Sequence, residues 1–182
     1  MSEFSVQLSE DQIQLQKWIH DFAENEIRPV AHEWDEREEF PYPVVERAAE
    51  FGLYGWEFVA EGMMNDPTGL TMPVAIEELF WGDAGIGMAI MGSALAAAGI
   101  AASGTSEQVM EWVPQCYGTP DKLALGAFCA SEPDAGSDVA GYRTRAVYDE
   151  ATDEWVLTGT KAWITNGGIA DIHVVVAVVE PE

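Results

Sequence analysis

Apolar residues first recur at helical spacing. Ile13, Leu15, Trp18, Ile19, Phe22, Ile27 and Val30 follow one another close to the helical period, behind the Ser9…Gln12 spacing of a capping box. Pro29 kinks that helix, ends it or opens its next segment. Pro41-Tyr42-Pro43 breaks the chain, and a short helix from about Val44 to Glu50 follows, stopped by Gly52. Residues 59–69 are rich in Gly, Asn, Asp and Pro toward their end and predict a loop. Pro73 suits the first turn of a helix running through Ile76 and Leu79 to about Trp81. A helix of small residues comes next, over 84–102. Thr105 or Ser106 then caps a helix through Val109, Met110 and Trp112, before Pro114. The pattern is an all-α block of about five helices.

The character changes near Pro114 to Pro120. Residues 123–129 read as a short buried strand, and 145–148 with 155–157 as a hairpin around a polar turn. The β-branched run 172–179 reads as one continuous buried strand, before the sequence reaches Glu180-Pro181-Glu182. Helices followed by strands define an α+β chain: an N-terminal all-α helical domain over 1–120, then an incomplete antiparallel β-domain over 121–182. A final strand at that point leaves an open edge, so the chain pairs with something else or is part of a longer protein.

Composition narrows the function classes. The 182 residues are 48% hydrophobic, which argues for an ordered globular protein. Thirty-two acidic against eight basic residues give a net charge of −24, spread along the chain. Such a surface repels phosphate backbones and anionic lipid heads, so no nucleic acid and no membrane is expected as a partner. Residues 84–106 carry no charge and are long enough to span a bilayer. They are mostly Ala and Gly with one Leu and no aromatic, so a packed helix is the expectation. Cys116 and Cys129, without CxxC spacing, read as free thiols. Met1-Ser2-Glu3-Phe4 lacks the basic and apolar regions of a signal peptide, and a cytoplasmic protein is expected.

Common catalytic signatures are missing. There is no GxGxxG behind a strand, no P-loop, no HExxH and no GxSxG. His20, His32 and His173 have no metal-ligand spacing, so no metal site is expected. Two segments stand out. Phe128-Cys129-Ala130-Ser131-Glu132-Pro133-Asp134-Ala135-Gly136-Ser137-Asp138 takes a strand into a turn-rich loop whose hydroxyls and amides can cradle an electron-rich ligand edge. Some thirty residues on, Lys161-Ala162-Trp163-Ile164-Thr165-Asn166-Gly167 reads as a strand with Trp163 and Thr165 on one face, beside which a flat heterocycle can lie. Alone, the first segment reads better as a plain polar loop, and the second as a core Trp ahead of an Asn166-Gly167-Gly168 turn.

Together, in this order and behind a helical block, the two segments resemble the acyl-CoA dehydrogenase family. Phe51-Gly52-Leu53-Tyr54-Gly55 and Ile76-Glu77-Glu78-Leu79 are similar to its N-terminal domain. The resemblance implies FAD as cofactor, wrapped by Phe128, Cys129, Ala130, Ser131, Gly136 and Ser137. The Ser131 position donates to the flavin, and Ser137 contacts acyl-CoA. Trp163, Ile164 and Thr165 match the segment packed on the flavin, with the Thr hydroxyl near N5. It further implies α,β-dehydrogenation of an acyl-CoA thioester in fatty acid or lipid metabolism. Hydride passes to flavin N5, and the electrons leave to an electron-transfer flavoprotein or similar acceptor. The full-length protein is expected to be a homo- or hetero-oligomer.

No catalytic residue is assigned within the chain. In the family the base is a Glu of a C-terminal helical domain, which the resemblance places beyond residue 182. Glu132, before Pro133, is expected to serve structure by bonding to backbone or a neighbouring Arg. The small residues of 84–102, which line part of the family's acyl pocket, suggest a roomy one. Two rivals remain: a related flavoenzyme (an acyl-CoA oxidase or a flavin monooxygenase), and a non-catalytic short subunit partnering another dehydrogenase chain.

Overall fold

The structure is a computed structural model describing residues 6–119 and 121–179. The expectations attached to Met1 to Phe4, to Pro120 and to Glu180 through Glu182 lie outside those residues. The chain divides into two compact units, Met1–Ala94 with Thr119–Leu123, and Leu95–Gly118 with Ala124–Glu182.

The first unit is helical. α1 (Glu10–Phe22) opens with the predicted capping box: Gln12 N donates to the Ser9 hydroxyl, and Ser9 N donates to the Gln12 side chain. Its apolar stripe buries Ile19 and Phe22, and the stripe continues into a π-helical turn, Ala23–Ile27, that buries Ala23 and Ile27. Pro29 separates that turn from α2 (Ala31–Arg37). α3 (Tyr42–Glu50) ends at Gly52, whose φ of 77° lies in the left-handed region. α5 (Thr71–Gly82) carries Pro73 in its first turn. It packs on α1, and the buried Glu78 accepts from Gln16 at 2.8 Å and lies 2.7 Å from His20 Nδ1.

Two expectations fail here. Residues 56–64 form a helix, α4 (Trp56–Met64), and the loop is confined to 65–70. The turn-forming residues Asn65-Asp66-Pro67 begin only after α4, and Gly62 lies within it. A Cβ at Gly62 would meet the Met72 side chain at 2.5 Å, so glycine allows α4 and α5 to approach. The small-residue helix is present over Ala84–Ser103 as α6 (Ala84–Met91) and α7 (Ser93–Ser103), which run on through Gly92 in helical backbone. α8 (Ser106–Trp112) is capped by Thr105, one of the two residues expected, with Gln108 completing a capping box, and the described residues hold eight α-helices rather than about five. Residues 84–103 remain apolar and long enough to cross a membrane by composition alone. Yet Ile86, Ala89, Ile90, Ala96 and Ala97 are buried by protein. The small side chains serve close packing: a Cβ on Gly87 would meet the Phe80 ring at 2.7 Å. Such contacts do not support the expected roominess.

The second unit holds α7 from Leu95, α8 and most of the strands. After the two-residue strands β1 (Gly118–Thr119) and β2 (Lys122–Leu123) comes β3 (Gly126–Cys129). β4 (Arg145–Asp149) and β5 (Glu154–Thr158) form the predicted antiparallel hairpin. Two further ladders among the described residues are parallel, against expectation. β3 pairs with β6 (Ile172–Val175), Gly126 opposite Ile172, and β4 pairs with β7 (Val178–Val179), Arg145 opposite Val178. Long intervening segments allow each strand to return in the same direction, which no tight turn permits. The run 172–179 is therefore not one buried strand. It bends at 176–177, where Val176 N donates to Cys129 O and Val178 N to Thr144 O, and most of its side chains are half-buried.

Candidate functional site

The first motif begins as β3 leaves its ladder. Cys129 is buried, Phe128, Ala130 and Ser131 are half-buried, and Gly136 and Ser137 are exposed. Glu132 and Ala135 close a tight turn over Pro133-Asp134, each amide donating to the other's carbonyl, at 2.8 and 3.2 Å. The Tyr142 hydroxyl donates to Gly136 O at 3.2 Å and folds the rest of the loop back. Phe128 lies against α7 at Gly99, where a Cβ would come within 2.9 Å of its ring.

The second motif departs from the predicted strand. Residues 159–164 belong to no ladder, and 165–169 form a turn. Trp163 (φ 63°) and Asn166 (φ 62°) both take left-handed backbone. A strand alternation cannot survive two such residues, so the shared face predicted for Trp163 and Thr165 is not set by a pleat. Four contacts instead anchor the segment to the first motif and its strand. Ala162 N donates to Ser131 O at 3.0 Å, and Lys161 Nζ to Ala130 O at 2.8 Å and Glu132 Oε1 at 2.9 Å. The Asn166 side-chain amide donates to Gly126 O at 3.1 Å. Between these anchors the Trp163 side chain is 92% exposed, Ile164 is half-buried and Thr165 is exposed.

Glu132 has the structural role expected of it, with one change of partner. Its Oε2 accepts from Arg143 N at 2.7 Å, and its Oε1 from Thr144 N at 2.9 Å. The cation is Lys161 rather than an arginine side chain, and the pair is nearly enclosed, with 11% of the Lys161 and 6% of the Glu132 side chain exposed. The Thr144 side chain, the two amides and Lys161 outweigh desolvation and hold the Glu132 carboxyl down at about 2. With both oxygens occupied and the proton held off, Glu132 is not placed as a base toward a ligand. Lys161, absent from the sequence-derived site, was signalled only by its place inside the second motif.

Burial pushes the Cys129 thiol up, against the opposing effect of Lys161. None of the three histidines stands at the site as a ligand. His20 meets Glu78, His32 faces Glu36 on α2, and His173 Nε2 lies 2.9 Å from Gly167 O.

The indole of Trp163 is uncovered, and the hydroxyls of Ser131 and Ser137 in the first motif and of Thr165 in the second have no protein hydrogen-bond partner among the described residues. The chain thus carries one helical unit and one unit that holds most of the strands and both motifs.

Comparison with known proteins agrees in order and extent. Residues 9–118 match the family model of the acyl-CoA dehydrogenase N-terminal domain, and residues 127–182 that of the middle domain. The chain belongs to the acyl-CoA dehydrogenase family. It is 34% identical to acryloyl-CoA reductase (NADH) of Anaerotignum propionicum, over 100% of this chain and 45% of that protein. It is 37% identical to the mitochondrial short-chain specific acyl-CoA dehydrogenase of Bos taurus, over 95% of this chain and 41% of that one. A glutaryl-CoA dehydrogenase from Mycobacterium smegmatis in complex with FADH2 superposes with a TM-score of 0.78 at 31% identity, covering 95% of this chain and 44% of that one. The chain thus spans less than half the length of the curated relatives it matches.

Proposed function

We propose that the chain forms the flavin face of an FAD-dependent acyl-CoA dehydrogenase, with 1–120 its helical part and 121–182 its sheet part. One observation carries this reading: Trp163 is 92% exposed in a segment that Lys161 and Asn166, on either side of it, anchor to Ala130 and Gly126 of the first motif and its strand. The Trp163 ring covers one side of the isoalloxazine, and Phe128, Cys129, Ala130, Gly136 and Ile164 shape the rim. Ser131 and Thr165 donate to the ring's polar edge, and Ser137 meets the acyl-CoA. When bound, the flavin supplies hydride acceptance at N5 from the β-carbon of the thioester. Fixed donors around the ring favour the charge that develops there.

The α-proton goes to a base outside these residues, since Glu132, the acid nearest the face in sequence, is fully occupied. The electrons leave to an electron-transfer flavoprotein or similar acceptor. We place the enzyme in the cytoplasm as an oligomer; the two free thiols, Cys116 and Cys129, support the reducing compartment. The same face serves the reverse reduction, the activity named for the Anaerotignum propionicum relative.

The test is acyl-CoA-dependent dye reduction by the protein expressed from its complete reading frame, with NADH-dependent reduction of an enoyl-CoA run in parallel. Trp163→Ala is expected to lose FAD while changing folding stability by less than about 0.5 kcal/mol, as befits an exposed side chain. The 182-residue chain alone is expected to reduce no dye. A complete protein that turns over neither substrate, or that holds FAD equally well with Trp163→Ala, would overturn the reading.

A further inference from the structure

We propose that Lys161 is a positioning residue for the flavin face: its ammonium locks the two motifs to each other and turns the loop's donors outward. This rests on the flavin reading above. Lys161 Nζ donates to Ala130 O at 2.8 Å and to Glu132 Oε1 at 2.9 Å, and it lies 4.5 Å from the centroid of the Tyr142 ring. One residue further on, Ala162 N donates to Ser131 O at 3.0 Å. The carbonyls of the loop therefore have assigned directions: Cys129 O toward Val176 N, Ala130 O toward Lys161, Ser131 O toward Ala162.

No cis peptide occurs among the described residues, so each amide N–H points opposite to the carbonyl that precedes it. Fixing Ala130 O on Lys161 thus turns the Ser131 amide away from the ammonium, to the side left free for a ligand. The same lysine stands two residues before Trp163, so one enclosed cation sets both the donor loop and the indole. An ammonium this enclosed holds its geometry because leaving it unpaired is costly. Lys161 touches neither cofactor nor substrate in this proposal; it acts through Ala130, Ser131 and Trp163.

The experiment uses the protein from its complete reading frame, stripped of cofactor and titrated with FAD. Flavin fluorescence gives the affinity, and the visible circular dichroism of the bound flavin reports its surroundings. Far-UV circular dichroism establishes that each variant is folded. Lys161→Met keeps the stem and removes the charge; it is expected to weaken FAD binding about tenfold or more and to alter the flavin band. Lys161→Arg keeps the charge, but its planar fork cannot reproduce the two contacts of an ammonium; a smaller loss and a band changed in the same direction are expected. A folded Lys161→Met with wild-type affinity and band overturns the proposal. Where Lys161→Met does not fold, Lys161→Gln, which is neutral but keeps a donor, decides: weakened FAD binding with a changed band supports the proposal, and a wild-type band with wild-type affinity overturns it. Failure of the wild-type protein itself to bind FAD is a different result, which removes the flavin reading and this proposal with it.

Discussion

The side-chain amide of Asn166 donates to the carbonyl of Gly126 across 3.1 Å, tying the turn after Trp163 to the first residue of β3. Asn166 also holds φ at 62°, a conformation that asparagine tolerates and branched residues resist. The two contributions separate by substitution. Asn166→Gly keeps the backbone freedom and loses the bond, and is expected to cost about 1 kcal/mol. Asn166→Val loses both and is expected to cost at least ~1 kcal/mol more. Urea midpoints of the two variants check the order, and a valine variant as stable as the glycine one would contradict it.

Phe128 owes its place to Gly99. A methyl at 99 would meet the ring at 2.9 Å and Val174 Cγ1 at 3.3 Å, so Gly99→Ala is expected to destabilise by about 1–3 kcal/mol. Phe128→Leu in the same chain should return part of that loss, because the smaller side chain vacates the space the methyl needs. A double-mutant cycle measures the coupling, and strict additivity would show that the strain is taken up elsewhere.

Glu132 gives stability a defined acid dependence. Its carboxyl is lowered from 4.5 to about 2 in the folded chain, so the fold favours the ionised form. That contribution is fully present above about pH 4.5 and is lost as pH falls toward 2. Thermal unfolding followed between those limits should therefore show a steeper fall for the wild type than for Glu132→Gln. Parallel profiles would mean that other carboxylates govern the acid transition.

The two cysteines should be quiet in the native state. Burial pushes Cys116 up to about 11 and raises Cys129 as well, leaving little thiolate near neutrality. Titration with an aromatic disulfide reagent at pH 8 is expected to label neither cysteine until urea is added. Immediate labelling at Cys129 would indicate that its strand end opens.

Much of the helical unit is local and was therefore legible. The capping box at Ser9, a cap at Thr105 or Ser106, the stop at Gly52 and the start near Pro73 rest on residues a turn apart. α4 is not legible locally, because the turn-forming residues at 65–69 follow it directly and the approach of Gly62 to Met72 spans ten positions. The same limit applies to the site. Its two motifs and their order were readable, but Trp163 and Thr165 were placed on a strand because period-two spacing was the only local clue.

By itself, then, the sequence determined the helix-then-strand order, the polar hairpin at 149–154, the unlike charge balance and the two motifs. All of these follow from short-range spacing or from composition. The tertiary structure alone decided which strands run parallel, that the segment at Trp163 is a turn, and that Lys161 rather than an arginine side chain meets Glu132. Those outcomes depend on hydrogen bonds between residues some thirty to forty-six positions apart, where a buried acid, a buried cation and unpaired carbonyls must find one another. Residue spacing along the chain does not encode which of them do.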